Sequence, residues 1–441
     1  MKRDIYQQLH AWKTSPRRKP LILKGARQVG KTYILKEFAE ANYKSVAYLN
    51  FEDTPQLDSM FATRLDVNSL IKELSLLSGT KIEAEHTLII FDEIQASNYA
   101  LNALKFLYEN ANQYHIATAG SLLGLTLSKP KSFPVGKVDL LEMYPMTFLE
   151  FLQAVGKPEF RELIEERSDD EQGVKPFNPI FHQELITLLR HYFLVGGMPE
   201  AVQCFTENET LLQIRKIQNT ILNAYALDFS KHASVSDVPK INQIWNSLPS
   251  QLARENKKFL YSSIKDSARA RAYESALQWL EDAGLIYRCT RITTPRMPLK
   301  SYCDISAFKI YVLDVGLLCA MSGLTPDILL GENKLFSEFK GSLTENYVAQ
   351  QLKACKSAGL YYWTSSGIAE VDFVLQGERD ILPLEVKAGS NIRSKSLLSY
   401  DNKYNPTALS RTSLLNIKQD GKMYNYPLYA VSLFGEMASD Y

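Results

Sequence analysis

Apolar residues in the first 155 positions alternate between short continuous runs and longer stretches with helical spacing. The short runs lie at residues 21–24, 45–51, 87–92 and 114–121, and the helical spacing is clearest at Ile34, Leu35, Phe38 and Ala39. Short runs are typical of buried strands, whereas apolar side chains three or four positions apart are typical of amphipathic helices. The alternation predicts an α/β fold with a parallel sheet covered by helices.

The pattern changes after residue 155. An acidic stretch at 159–173 is interpreted as the end of a surface helix and a loop, and residues 176–232 are mainly helical. Within them, the sequence Gly-Gly-Met-Pro at 196–199 is expected to end one helix and start another. Two predicted helices at 240–255 and 268–284 then precede an alternating strand from Leu285, an order typical of a winged helix.

Residues 335–441 form a last predicted unit. A helix at 338–354 and a strand at 360–364 precede two further strands, 370–375 and 381–387, which a turn at Gly377 joins into a hairpin. The sequence therefore predicts four segments, with the boundaries 1–158, 159–235, 236–334 and 335–441.

Length, charge and cysteine content exclude several classes of protein. A chain of 441 residues is too long for one ordinary domain. Its 50 basic and 49 acidic residues nearly cancel, so any contact with nucleic acid must rest on a local patch. The five cysteines contain no CxxC pair, which argues against a zinc site and a disulfide framework. Because no apolar run reaches about eighteen residues, we expect a soluble, cytoplasmic protein without a membrane partner.

The segment that resembles a winged helix is locally basic. Contact with DNA and ordinary solvated helix charges explain this equally well, because many winged helices bind proteins or bridge domains. The basic residues are Arg254, Lys257, Lys258, Lys265, Arg269 and Arg271.

The run at 21–24 leads directly into GARQVGKT at 25–32, which has the spacing GxxxxGKT. Gly25 and Gly30 let the backbone curl until its N–H groups face phosphate oxygens, and the N-terminus of the next helix adds partial positive charge. Lys31 is expected to reach the β- and γ-phosphates, and the Thr32 hydroxyl to ligate Mg²⁺. A plain glycine turn would explain neither Lys31 nor Thr32. The sequence thus predicts a site for ATP or GTP formed by Gly25, Ala26, Arg27, Gln28, Val29, Gly30, Lys31, Thr32 and Tyr33.

Polar residues follow two later strands. The strand at 87–92 ends in Asp92 and Glu93; we expect Asp92 to hold Mg²⁺ through water and Glu93 to polarise the attacking water. An acidic turn after a core strand is the alternative, but the separation of about sixty residues from the glycine loop suits a βαβ crossover and a further strand. In the strand at 114–121, Thr118 and Ser121 are candidates to sense the γ-phosphate.

The predicted hairpin places charged residues together. Folding about residue 378 sets Asp372 opposite residue 384 or 385, and in such pairs Cβ atoms lie about 5 Å apart. Period two puts Glu385 and Lys387 on one face of their strand. Two close carboxylates repel each other unless a cation lies between them, and Mg²⁺ or Mn²⁺ is the usual one. Lys387 would then orient or deprotonate a water, or stabilise a pentavalent phosphate. Glu345 is a candidate for a further metal ligand. The alternative is a half-exposed hairpin with a charged outer face.

Several stretches together carry a resemblance that runs nearly end to end. They are GARQVGKT (25–32), FDEIQ (91–95), AGSLLG (119–124), the stretch 133–152, GGMPEA (196–201), the stretch 240–259, FKIYVLDVGLL (308–318), FKGSLTENYV (339–348), EVDFVL (370–375) and LPLEVKAG (382–389). They resemble a prokaryotic AAA-type P-loop ATPase family with a C-terminal domain of unknown function. The resemblance implies ATP rather than GTP, a P-loop ATPase core, a helical lid, a winged-helix segment and a restriction-endonuclease-like α/β domain of the PD-(D/E)xK type.

In that family the nuclease pattern falls on Glu345, Asp372, Glu385 and Lys387, which implies a second Mg²⁺ or Mn²⁺ site. One departure concerns the ATPase, because Lys137 follows Gly136 where relatives often have Gly-Arg. Lysine lacks the planar fork of an arginine finger. Either Lys137 substitutes weakly, or Arg190 serves, or hydrolysis is slow and the nucleotide acts as a switch.

The leading hypothesis is an ATPase that couples ATP binding or hydrolysis to a DNA-associated, nuclease-like domain, with the oligomeric state left open. One alternative is a nucleotide-dependent binding switch whose C-terminal domain is an inactive docking module. The other is an ATPase that acts on protein partners.

Overall fold

The computed structural model describes residues 1–62, 66–121, 136–167, 175–254, 257–265, 269–324, 337–355, 359–365, 369–378, 380–389 and 394–436. The predicted segments at 122–124, 133–135, 168–173 and the boundary near 334 lie outside these residues. Contacts divide the chain into two units: unit 1 comprises residues 1–144 with 282–284, and unit 2 comprises 145–281 with 285–441.

Unit 1 is a parallel sheet with helices between its strands, as the alternating pattern predicts. Its helices are α1 (Ile5–Thr14), α2 (Lys31–Asn42), α3 (Gln56–Ala62), α4 (Val67–Ser78) and α5 (Asn98–Asn110). Its strands are β1 (Leu21–Lys24), β2 (Ser45–Asn50), β3 (Thr87–Asp92), β4 (His115–Ala119) and β5 (Asp139–Glu142). The predicted α/β class with a parallel sheet is confirmed.

The order of strands in this sheet is β2-β3-β4-β1-β5, and every pair is parallel. All six residues of β3 are buried, as expected for a parallel strand with helices on both faces. Phe51, Phe61 and Phe91 pack edge to face or tilted in the core beside it. Because β1 and β3 run in the same direction, the glycine loop after β1 and Asp92 at the end of β3 lie at one edge of the sheet.

Unit 2 begins with helices and ends with two sheets. Its helices are α6 (Phe148–Ala154), α7 (Pro158–Glu165), α8 (Pro179–Val195), α9 (Pro199–Thr206), α10 (Leu211–His232), α11 (Val238–Leu252), α12 (Ala270–Asp282), α13 (Val315–Met321), α14 (Ser337–Ala354), α15 (Lys395–Tyr404) and α16 (Val431–Glu436). Its strands are β6 (Ile286–Ile292), β7 (Cys303–Val312), β8 (Leu360–Thr364), β9 (Glu370–Val371), β10 (Phe373–Gln376), β11 (Ile381–Val386), β12 (Leu409–Ser413), β13 (Lys418–Asp420) and β14 (Met423–Pro427).

The predicted helix break at Gly-Gly-Met-Pro is confirmed, because α8 ends at Val195 and α9 starts at Pro199. Gly197 is required there on steric grounds. A Cβ atom at this position would lie 2.1 Å from the carbonyl oxygen of Met146, so the backbone would have to shift to make room for it.

Strands from both sides of the predicted boundary at 334 share a sheet. Its order is β7-β6-β8-β9, with β6 antiparallel to β7 and parallel to β8. The two helices and the strand of the predicted winged helix are present as α11, α12 and β6, but β6 pairs with a strand of the predicted last domain. The winged-helix assignment and the four-segment division therefore stay predictions.

The second sheet of unit 2 has the order β10-β11-β12-β14-β13 and contains the predicted hairpin. Phe373 pairs with Leu384, so the preceding residue, Asp372, lies beside Glu385 as predicted. The alternative of a half-exposed hairpin is wrong, because the residues from Pro383 to Val386 are buried, Glu385 included. Among the described helices, none is long and apolar enough to cross a membrane.

Candidate nucleotide site and acidic cluster

The glycine loop of unit 1 has a backbone that only glycine adopts easily. Gly25 has φ +150°, and a Cβ atom there would lie 2.2 Å from the carbonyl oxygen of Met143. Gly30 has φ +95° and stands immediately before α2. Since α2 begins at Lys31, the N–H groups of its first turn have no acceptor within the helix. The loop therefore offers backbone N–H donors that the helix itself does not use and a positive helix end, as an anionic phosphate requires.

Lys31 folds back onto this loop. Its Nζ atom donates to the carbonyl oxygens of Gly25 at 2.9 Å and Ala26 at 2.7 Å, and the residue is only 7% exposed. Burial lowers the pKa of Lys31 to about 8, against the opposing effect of the carboxylates of Glu93 and Asp92. A phosphate anion in place of these two carbonyl oxygens would stabilise the ammonium group further.

Arg3, which belongs to no sequence motif, contacts the other side of the loop. Its guanidinium group donates to the carbonyl oxygens of Val29 at 2.9 Å and Tyr144 at 2.6 Å. Arg3 is buried, and its bond to Val29 is shielded from water. The N-terminal residues thus position the glycine loop relative to the end of β5.

Thr32 and Asp92, the two residues predicted to hold Mg²⁺, contact each other directly. The Thr32 hydroxyl donates to the two carboxylate oxygens of Asp92 at 2.9 and 3.1 Å, and the Tyr48 hydroxyl donates to one of them at 2.7 Å. A hydroxyl and a carboxylate at this distance, beside a phosphate-binding loop, are the oxygen donors that Mg²⁺ prefers. The residues therefore fit Mg²⁺. Burial, with the bond to Asp92, raises the pKa of Tyr48, so this hydroxyl stays a donor.

Glu93 has a left-handed backbone, with φ +49°, which is unusual for a residue with a side chain. Its Oε2 atom accepts from the Gln95 amide and, at 3.3 Å, from both the backbone N–H and the hydroxyl of Ser121. Residues held in such conformations cluster at active sites. The structure thus joins the predicted catalytic Glu93 to the predicted Ser121.

The remaining predicted residues of unit 1 differ in burial and in their contacts. Ala26 and Val29 are buried in the loop, whereas Tyr33 is 60% exposed. Thr118 has a buried hydroxyl that makes no hydrogen bond with any described residue, so it is not linked to Glu93. Lys137 pairs with Glu109 at 3.0 Å. A contact of any of these side chains with nucleotide stays a prediction.

Unit 2 holds a second constellation, which we name the Lys309 cluster. It consists of Lys257, Lys309, Glu345, Glu370 and Asp372. The Lys309 ammonium group is 0% exposed; it pairs with Glu370 and lies 3.7 Å from Glu345 and 3.8 Å from Asp372. The sequence predicted Glu345 and Asp372 here but not the buried lysine between them.

Burial and neighbouring charges together set the protonation of this cluster. Burial, followed by the negative charge of Glu345, raises the pKa of Asp372 above its usual range. Burial acts in the same direction on Glu345, but Lys257 and Lys309 outweigh it and lower the pKa of that carboxyl. Burial alone lowers the pKa of Lys309, yet Tyr311 and the surrounding carboxylates raise it well above the usual value. Lys309 therefore remains a cation at neutral pH.

The predicted second metal site is not formed as a cluster. Glu385 is buried and pairs through Oε1 with Lys387, while its Oε2 has no hydrogen-bond partner among the described residues. In the described part of the chain, no group of three or more His, Cys, Asp or Glu residues is arranged to hold a metal ion. At about 4 Å, an ammonium repels a divalent ion by about 8 kcal/mol at an effective dielectric constant of about 20. The acidic residues near Lys309 therefore do not fit a divalent ion.

Three parts of the chain match known families. Residues 17–152 match a family described as an AAA domain. Residues 186–328 and 340–430 match two families described as domains of unknown function, DUF8612 and DUF4143. The first match covers the parallel sheet and the glycine loop of unit 1, so this part of the chain is similar to AAA domains.

Individual relatives are distant. An uncharacterized protein of Methanocaldococcus jannaschii is 25% identical over 189 residues, which are 42% of this chain and 38% of that protein. The match thus spans well under half of the relative's length. A Walker-type ATPase of Pyrococcus abyssi matches 72% of this chain and 95% of its own, with 14% identity and a TM-score of 0.45. The RuvB Holliday junction branch migration motor of Thermotoga maritima matches 68% and 91%, with 13% identity and a TM-score of 0.28.

Proposed function

We propose that this chain binds ATP with Mg²⁺, hydrolyses it, and uses the nucleotide state to control unit 2. The observation that supports the proposal most directly is the contact of Thr32 with Asp92 beside the loop that holds Lys31. At one edge of a parallel sheet, the glycine loop supplies a phosphate cradle and Lys31 a cation. Thr32 and Asp92 supply two oxygen ligands for a metal ion.

Each residue then has a role. Mg²⁺, when bound, neutralises phosphate charge. Thr32 and Asp92 would hold it, and Lys31 would exchange its carbonyl acceptors for β- and γ-phosphate oxygens. Glu93 orients the attacking water and accepts its proton as the water oxygen bonds to the γ-phosphorus and the bond to the bridging oxygen breaks. Ser121 keeps the Glu93 carboxylate in place.

A binding experiment tests the first step. We expect a fluorescent ATP analogue to bind the wild type with Mg²⁺ and to lose at least about tenfold in affinity in Lys31→Ala. Lys81→Ala is the matched control, because Lys81 lies in the same unit on the surface and pairs only with its neighbour Glu83 in the described contacts. Equal affinity of the Lys31→Ala protein and the wild type would refute the proposed site.

For residues 335–441, two functions follow from the sequence: a metal-dependent nuclease that contacts DNA, and an inactive docking module. The Lys309 cluster favours the docking module, because Lys257 pairs with Glu345 and the Lys309 ammonium group lies within 4 Å of both Glu345 and Asp372. The Lys257 ammonium group pairs with Glu345, so its charge does not add to the predicted basic patch. We therefore propose that the ATPase switches a binding activity of unit 2.

Plasmid cleavage distinguishes the two functions. Wild type and a double variant, Asp372→Asn with Glu385→Gln, are incubated with plasmid, Mg²⁺ or Mn²⁺, with and without ATP. We expect intact plasmid in all samples alongside measurable ATP turnover. Metal-dependent nicking by the wild type that the double variant loses would establish the nuclease instead. DNA binding that weakens steeply with salt would identify DNA as the docked partner.

A further inference from the structure

The carboxylates of the Lys309 cluster come from separate elements and meet at one ammonium group. Glu345 lies on α14, Glu370 on β9, and Asp372 directly before β10, whereas Lys309 lies on β7. This ammonium group donates a hydrogen bond to Glu370 and lies within 4 Å of Glu345 and Asp372, so three carboxylates surround its N–H donors. Since the Lys309 side chain is fully buried, water does not compete for these donors.

We propose that Lys309 is the resident cation of this cluster and stands where a divalent metal would have to bind, so that the cluster is an ion-pair lock between elements of unit 2. Nucleotide does not enter this inference, which concerns unit 2 alone.

The oxygens of Glu345 and Asp372 are already engaged. For Glu345, Oε1 pairs with Lys257, and Oε2 faces Lys309 and accepts from the Tyr311 hydroxyl at 3.3 Å. For Asp372, Oδ1 faces Lys309, and Oδ2 accepts from the backbone N–H of Val386 at 2.8 Å. A divalent ion bonds to several oxygens at about 2.1 Å and would have to displace these donors.

Lys257 closes the cluster from a different part of the chain. It follows α11, and its side chain is 12% exposed where it meets Glu345. The Tyr362 ring lies 5.1 Å from the Lys309 ammonium and adds a favourable aromatic face. The cluster therefore contains two lysines, three carboxylates and an aromatic ring. On the neighbouring strand β11, the buried Oε2 atom of Glu385 has no hydrogen-bond partner among the described residues.

Binding of Mn²⁺ without nucleotide, followed by the electron paramagnetic resonance signal of the free ion, tests this inference. In the wild type, Asp372→Asn is expected to leave Mn²⁺ binding unchanged. Lys309→Met keeps the length of the side chain and removes its charge. We expect this variant to gain one Mn²⁺ site at least about tenfold tighter than any in the wild type, and Asp372→Asn added to it should remove that site.

Lys422→Met is the matched control, because Lys422 pairs with Asp401 on a more exposed surface of the same unit and should give no Mn²⁺ site when removed. A wild-type Mn²⁺ site that Asp372→Asn abolishes would overturn the inference. A folded Lys309→Met protein that gains no site would overturn it as well. If that variant does not fold, the wild-type comparison with Asp372→Asn still decides. ATP binding in the same proteins reports on unit 1, so failure here is distinct from failure of the proposed ATPase.

Discussion

Thr32 and Asp92, sixty positions apart in the chain, are joined directly: the Thr32 hydroxyl lies 2.9 Å from one carboxylate oxygen of Asp92 and 3.1 Å from the other. The first residue is in the opening turn of α2, and the second ends β3. Their contact joins the helix that follows the glycine loop to the strand that ends at Asp92, at the edge of the sheet where we propose that Mg²⁺ binds.

Asp92→Asn should lower the ATPase rate by about a hundredfold, because it removes a negative charge from the proposed Mg²⁺ position. Several kcal/mol of transition-state stabilisation depend on that ion. Initial rates measured over a range of Mg²⁺ concentrations check this. Tyr48→Phe is the control, since it removes one hydrogen bond to Asp92 and keeps the carboxylate. A rate in Asp92→Asn as high as in Tyr48→Phe would contradict the assignment.

Ser121→Ala should lower kcat and leave KM nearly unchanged, because Ser121 contacts Glu93 and its predicted effect is on the attacking water. Steady-state kinetics measure both constants. Thr118→Val serves as the comparison, since the Thr118 hydroxyl is buried and makes no hydrogen bond in the described structure. The Thr118 variant should keep kcat; a larger loss there than in Ser121→Ala would make Thr118 the residue that senses the γ-phosphate.

Gly25→Ala should abolish ATP binding and lower the melting temperature of unit 1. The added Cβ atom would lie 2.2 Å from the carbonyl oxygen of Met143, so the glycine loop or the end of β5 must shift. Gly79→Ala separates this clash from backbone strain, because Gly79 also has a positive φ, +64°, but open space around it. Thermal unfolding and nucleotide binding are measured on both proteins, and equal losses in the two would show that the clash is not the cause.

His115 should make the stability of unit 1 fall in acid. Burial, together with the charge of Arg18, lowers its pKa from 6.5 to about 4. Its Nε2 faces Arg18 at 2.7 Å, so this nitrogen accepts, and the Nδ1–H donates to the Tyr43 hydroxyl at 2.7 Å. Between these two pKa values the unfolded chain binds a proton that the folded protein does not, so stability is complete above about pH 6.5 and decreases towards pH 4.

The measurement is urea unfolding of the wild type and His115→Gln across this range. Glutamine can accept from Arg18 and donate to Tyr43 without titrating. The free energy of unfolding should depend less on pH in the variant than in the wild type. Parallel pH profiles of the two proteins would rule out His115 as the source.

The nucleotide site was predictable because its chemistry imposes local spacing. A phosphate loop needs its two glycines, lysine and hydroxyl within eight residues, and α2 starts at Lys31 as that spacing requires. The parallel sheet was predictable from buried runs such as the one ending at Asp92, since a fully buried strand shows no polar alternation.

Arg3 and Tyr48 were not predictable, because each reaches the site through a contact between positions far apart in the chain, and neither belongs to a motif. Lys309 illustrates the same limit. In a strand, a lysine normally indicates a solvent-facing position, yet here three carboxylates from elements later in the chain surround it. The pairing of lysine with carboxylate in three dimensions, rather than any spacing in the sequence, distinguishes this cluster from a metal site.

ATP turnover by the wild type compared with Glu93→Gln tests the central claim most directly. Glutamine keeps the shape of the side chain but cannot take a proton from water. We predict that the variant binds ATP with Mg²⁺ as tightly as the wild type and hydrolyses it at least about a hundredfold more slowly. Unchanged turnover in Glu93→Gln, with nucleotide binding intact, would contradict the account.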